Sequence, residues 1–169
     1  EKTFQVLSDP RIKATTADYE KQVNLLQNIA ADVNDIHASV VRMRNMKKQL
    51  AGIIDRIENK EAFKIIITLA DSINDKIDAW ETKLIQTKSE SNDDVINFVN
   101  KLTANYIFLR GELDTNTPHV TLGHVQRFKE LNDEWRIYKA ELNAILENDI
   151  KNLNEKCKSL QLSHILLID

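Results

Sequence analysis

The sequence predicts an all-α protein, an up-down-up-down antiparallel four-helix bundle with long first and last helices and short β-like segments at both termini. Three observations predict it. The 169 residues include only three Gly and two Pro, too few for a chain built from turns and short strands. Apolar residues recur three and four apart over long stretches, the spacing of a buried helical stripe. The polar interruptions are short, as expected of turns between packed helices.

The first helix is expected over about 16–58, roughly 65 Å at 1.5 Å per residue. Two interleaved series of positions seven apart define its seam. One is Tyr19, Leu26, Val33, Val40, Lys47 and Ile54; the other is Gln22, Ile29, Ile36, Met43, Leu50 and Ile57. Leu25, Met46 and Ile53 widen the stripe, as suits a helix with more than one neighbour. Thr15 followed by Asp18 reads as a capping box at its start. A second helix, about 61–85, carries Phe63, Ile66, Ala70, Ile73, Ile77, Trp80 and Leu84. The run QTKSESNDD from Gln86 to Asp94 is the main internal loop. A third helix, about 94–112, carries Val95, Val99, Leu102, Tyr106, Leu109 and Leu113, with Asp93 or Asp94 as its cap.

A turn at Asp114 to His119 (DTNTPH) precedes the fourth helix, about 119–160, for which Thr117 or Thr121 can serve as cap. Its seam runs through Val125, Phe128, Leu131, Trp135, Tyr138, Leu142 and Ile145. It then slips by one position to Leu146, Ile150, Leu153, Cys157 and Leu160, which changes the local winding without ending the helix. The segments Thr3 to Leu7 (TFQVL) and Ile165 to Ile168 (ILLI) have strand character. The helical bundle is thus expected over 13–162, with 1–12 as a junction segment and 163–169 as a tail. Because the middle helices are short, a thin end is expected where Ala14 to Val33 pairs only with Asp149 to Leu160. A spectrin-like three-stranded arrangement, with the second and third helices end to end, satisfies the same stripes but separates the termini.

Little in the chain points to chemistry. Net charge is −3, so no overall basic field draws nucleic acid, and no apolar run has the length of a membrane span. The four histidines, His37, His119, His124 and His164, are scattered, and no Glu precedes a His by three residues as a di-metal carboxylate bundle requires. No metal, cofactor or catalytic residue is assigned. Lone Cys157 sits on a seam, where it packs as a small apolar residue. Trp80 and Trp135 also occupy seams. The acidic groups Asp93 and Asp94, and Glu130, Asp133 and Glu134, fall in loops and on polar faces. The basic run Arg42, Arg44, Lys47 and Lys48 is either a patch for an anion or partner, or a solvated face balanced by acids on a neighbouring helix. The chain starts at Glu1 without a signal peptide, so it is expected to be cut from a longer protein.

The order of local features resembles a known family. Phe4-Gln5-Val6 leads into Asp9-Pro10-Arg11 and Thr15, and the long helix is centred on Val40-Val41-Arg42-Met43-Arg44. Lys83-Leu84-Ile85-Gln86, Pro118 and Asp149-Ile150-Lys151-Asn152-Leu153-Asn154 follow. Together they resemble the C-terminal helical region of large bacterial secreted proteins built on a sortilin-like β-propeller, of BNR-repeat or glycosyl-hydrolase-like type. The resemblance implies a secreted or cell-envelope parent whose catalytic groups lie in the propeller. It implies that Thr3 to Leu7 is the last strand of an upstream domain, and that this chain is a non-catalytic accessory bundle partnering that domain. The alternative is a coiled-coil oligomerisation or partner-binding module that uses an exposed seam of Tyr19, Leu26, Ile29 and Val33 at the thin end.

Overall fold

The computed structural model describes residues 2–5, 7, 9–88, 90–91, 94, 96–162 and 165. Its elements are α1 (Thr16–Asp55), α2 (Lys64–Leu84), α3 (Leu102–Leu113), α4 (Leu122–Ala144), a π-helical turn (Ile145–Ile150) and α5 (Lys151–Ser159). The backbone stays helical through the π turn, so α4, the turn and α5 form one continuous last helix. The protein is all-α, and among the described residues no strand forms and no helix is long and apolar enough to cross a membrane.

Two of the helix starts follow directly from the sequence. Thr15 and Asp18 form the expected capping box: Asp18 N–H donates to Thr15 Oγ1 at 3.2 Å, and Thr15 N–H donates to Asp18 Oδ2 at 2.8 Å. Thr121 caps α4 in the same reciprocal way, with His124 Nδ1 in the place usually taken by a Glu. The slip in the fourth seam is the π turn. One extra residue is absorbed there, so that Ile145 and Leu146 are both buried and the seam resumes at Ile150, Leu153 and Cys157.

Helix direction follows from side chains that bridge elements. Lys21 reaches Val120 O, Asp32 takes Asn132, and Asp35 takes Trp135 and Lys139. Residue numbers rise together, so α1 and the last helix run parallel. By contrast α2 is antiparallel to α1, with Arg44 on Glu81 and Lys47 on Asp78. It is antiparallel to the last helix as well, with Lys83 on Glu141 and Lys76 on Asp149. Helix α3 is antiparallel to the first half of α1, with Gln22 on Leu113 and Tyr106 on Asp32. The second and third helices therefore lie end to end along α1, and the up-down-up-down topology is corrected to the three-stranded one. The physical reason is length: α2 and α3 together nearly match α1, which is about 60 Å long. Gln86 ties their junction by donating to Val99 O at 3.0 Å.

Three further expectations change with this topology. There is no thin two-helix end, because α3 and α4 cover the first half of α1 while α5 packs on α2. Ile29 is fully buried, and Tyr19, Leu26 and Val33 are half-buried. The start of α1 and the end of α5 lie at opposite ends of the bundle, which separates the described residues of the two β-like segments. Thr3 to Gln5 and Leu7 have no regular structure and expose Phe4 and Leu7, while Val6 and Leu166 to Ile168 lie outside the described residues. Finally, the third helix begins at Leu102 rather than near 94, and Val95 lies outside the described residues. Asp94 turns its carboxylate back onto the N–H groups of Glu90 and Ser91 (2.6 and 2.9 Å), which closes a turn instead of capping a helix.

Candidate functional site

The densest polar constellation lies where α1, α3 and α4 meet. Asp32 and Asp35, three residues apart, share one face of α1. Asp32 Oδ2 accepts from the Tyr106 hydroxyl at 2.8 Å and from Asn132 Nδ2 at 2.9 Å. Asp35 Oδ2 accepts from Trp135 Nε1 at 3.0 Å and Lys139 Nζ at 2.6 Å, and the ammonium also lies 5.9 Å from the centre of the Trp135 ring. Tyr106 is wholly buried, edge-on to Phe128. Burial, and then the bond to Asp32, pushes its phenol far above the usual range. One turn on, burial followed by a bond to Glu134 pushes Tyr138 up to about 12. Both phenols remain protonated donors at ordinary pH. With each named donor held on a carboxylate, the cluster fixes the register of three helices.

The basic run is divided by the fold. Arg44 Nε donates to Glu81 at 2.9 Å, and this nearly buried carboxylate pushes the guanidinium still higher. Lys47 pairs with Asp78 one turn earlier on α2. With Lys48 and Thr82 these residues line a shallow recess of about 510 Å³. Arg42 is half-buried and Lys48 exposed. Arg44 and Lys47 are thus matched by acids on α2, as the balanced-face reading of that run expects.

The remaining candidates are occupied by structure. Cys157 is fully buried, and burial pushes its thiol up, away from a reactive thiolate. Trp80 is buried and donates to Tyr138 O at 2.8 Å. His37 is exposed, His119 donates its backbone N–H to Thr117 O, and His124 serves the α4 cap. His164 and Asp93 lie outside the described residues. Glu130 is bonded by Gln126 and Arg127, and Asp133 by Lys129, which hold both carboxyls below the usual range. Among the described residues no group of three or more His, Cys, Asp or Glu could hold a metal ion.

The polar constellation itself was not anticipated. Its trace in the sequence is a third series seven apart, Leu25, Asp32, Ser39, Met46 and Ile53, in which two polar members interrupt an otherwise apolar row. Ser39 is buried along with its three apolar companions, so this row is the true second half of the α1 seam. Comparison of the chain with protein families, with curated proteins and with solved structures returned no match.

Proposed function

We propose that this chain is a non-catalytic structural domain, a stiff three-stranded helical rod that holds whatever is joined to its two ends apart. The observation that carries this is the parallel course of α1 and the last helix, which puts the start of one and the end of the other at opposite ends of a body about 60 Å long. A continuous core through every helix supports the same reading, because a stiff rod needs packed contacts along its whole length. The family resemblance supplies a setting: an accessory domain that spaces or braces a sortilin-like propeller in an exported or envelope-bound bacterial protein of glycosyl-hydrolase-like type. Sedimentation equilibrium over a hundredfold range of concentration tests the proposal. A spacer working within one polypeptide stays near 19.5 kDa, and a mass rising toward twice that refutes it.

A second reading, a partner-binding module, draws on one observation. Ile107 and Phe108 on the outer side of α3, and Ile96 and Val99 before it, are all exposed. Such a patch is a common mark of an interaction surface. Under that reading the adhesive face is on α3, and Phe108→Glu would return an associating chain to a monomer.

A further inference from the structure

Helix α3 turns one face inward and leaves the opposite one exposed. Leu102, Tyr106, Leu109 and Leu113 are buried, while Ala104, Ile107, Phe108 and Gly111 follow the same three-and-four spacing on the outer side. Ile107 and Phe108 are 49% and 69% exposed, and a Cβ added at Gly111 would meet nothing within 4 Å. The outer row thus has two large apolar residues at its centre and a small residue toward each end. Its apolar pattern reads the same in either direction, but its charge does not. Lys101 stands before the first turn and Asp114 after the last. Asp114 has Arg110 only at 3.8 Å and is 63% exposed, which leaves its carboxylate open to a second cation.

We propose that α3 pairs antiparallel with the α3 of a second copy of this chain, about a two-fold axis passing between Ile107 and Phe108. In that register Ile107 meets the partner's Phe108, Ala104 the partner's Gly111, and Lys101 the partner's Asp114, each contact occurring twice. The small residues let the two helices approach closely on both sides of the centre. Glu112 faces the partner's Thr103 and Arg110 the partner's Asn105, so no facing pair within α3 brings like charges together. A parallel pairing would set Lys101 against Lys101 and Asp114 against Asp114, which repel. Because α3 is only about 18 Å long, the contact stays below the roughly 1,200 Å² of a stable complex. The copies pair where something else holds them close, and the chain stays single at micromolar concentration, as the spacer reading requires. The proposal rests on the reading of α3 as an adhesive face and names what that face takes.

The test is disulfide trapping in a Cys157→Ala background at about 1 mM protein, the effective concentration of tethered partners. Chains carrying Ala104→Cys are mixed with chains carrying Gly111→Cys and oxidised. Disulfides between the two kinds of chain are expected at least about tenfold faster than those between like chains, whose sites lie about 10 Å apart along the axis in the proposed register. Lys101→Glu in both chains should slow the mixed reaction at least about fivefold, and adding Asp114→Lys should restore it, since the swap rebuilds the same ion pair. Helical circular dichroism equal to the parent's shows that each variant is folded. The proposal is overturned if like chains join as fast as unlike ones, or if the charge swap restores nothing. Amide shifts of the parent chain, followed to the same concentration, test the adhesive face by itself. If α3 signals move with concentration while the trapping shows no preference, the pairing falls and the adhesive face stands; if no α3 signal moves, both fall.

Discussion

Deleting Asn148 should leave the fold standing, although it removes a residue from the middle of a 38-residue helix. In an ordinary α-helix a deletion rotates everything beyond it by about 100°. Deleting exposed Ala38 would do this in α1, swinging Val40, Met43, Met46 and Leu50 out of the core relative to Leu25 and Ile29. Each such side chain is worth about 1.5–3 kcal/mol when buried, so the loss approaches the whole stability of a typical domain, about 5–15 kcal/mol. Asn148 differs because it lies in the π turn, where one residue is already surplus, and its side chain is exposed. Without it, Leu142, Ile145, Ile150, Leu153 and Cys157 fall three, four, three and four apart, the spacing of an unbroken α-helix seam. Urea unfolding followed by the fluorescence of Trp80 and Trp135 should therefore place the Asn148 deletion within about 1 kcal/mol of the parent chain. The Ala38 deletion should lose at least about 5 kcal/mol. Equal losses in the two deletions would refute the reasoning, since the π turn would not then be what absorbs the slip.

Asp32→Ala should destabilise by about 2–4 kcal/mol, because the buried Tyr106 hydroxyl and Asn132 lose their acceptor. In a double-mutant cycle with Tyr106→Phe the two changes should couple by about 1–2 kcal/mol, and additivity would remove Asp32 from the network. Gln161→Gly should raise stability by about 0.5–1 kcal/mol, because glycine relieves the left-handed strain at the end of α5; a loss in urea unfolding would count against it. The folded protein keeps protons on Tyr106 and Tyr138 that the unfolded chain releases near the ordinary tyrosine value of 10.0. That stabilisation is complete below pH 10 and is lost as pH rises. For Tyr138 the loss runs between pH 10 and about 12, at up to about 1.4 kcal/mol per pH unit. Tyr106→Phe should flatten the alkaline decline; an unchanged slope would contradict the assignment.

Local features were legible in the sequence where a single helix decides them. The Thr15–Asp18 box needs only residues on one turn, and the slip at Ile145 and Leu146 is visible because a helical stripe tolerates no surplus residue without a change of winding. Topology was not legible, since Phe63 to Leu84 and Leu102 to Leu113 bury the same faces whether they stand side by side or end to end. What decides between them is polar: Asp32 and Asp35 select Asn132, Trp135 and Lys139 from a parallel neighbour. Polar residues also hid the seam. Asp32 and Ser39 made the row through Leu25, Met46 and Ile53 look broken, so the neighbouring row through Tyr19 and Leu26 looked better than it is. The start of α3 was obscured in the same way, because Asp94 is as suited to closing a turn as to capping a helix.

The central claim is that the first and last helices run parallel, and one distance tests it. Spin labels at exposed Glu20 and Lys158, introduced as Glu20→Cys and Lys158→Cys in a Cys157→Ala chain, would be measured by double electron–electron resonance. With residue 20 level with the start of α4, the account predicts a separation of about 55 Å, the rise of the last helix. A separation of about 10–20 Å, that of neighbouring ends in an antiparallel pair, would contradict it and restore the up-down-up-down bundle.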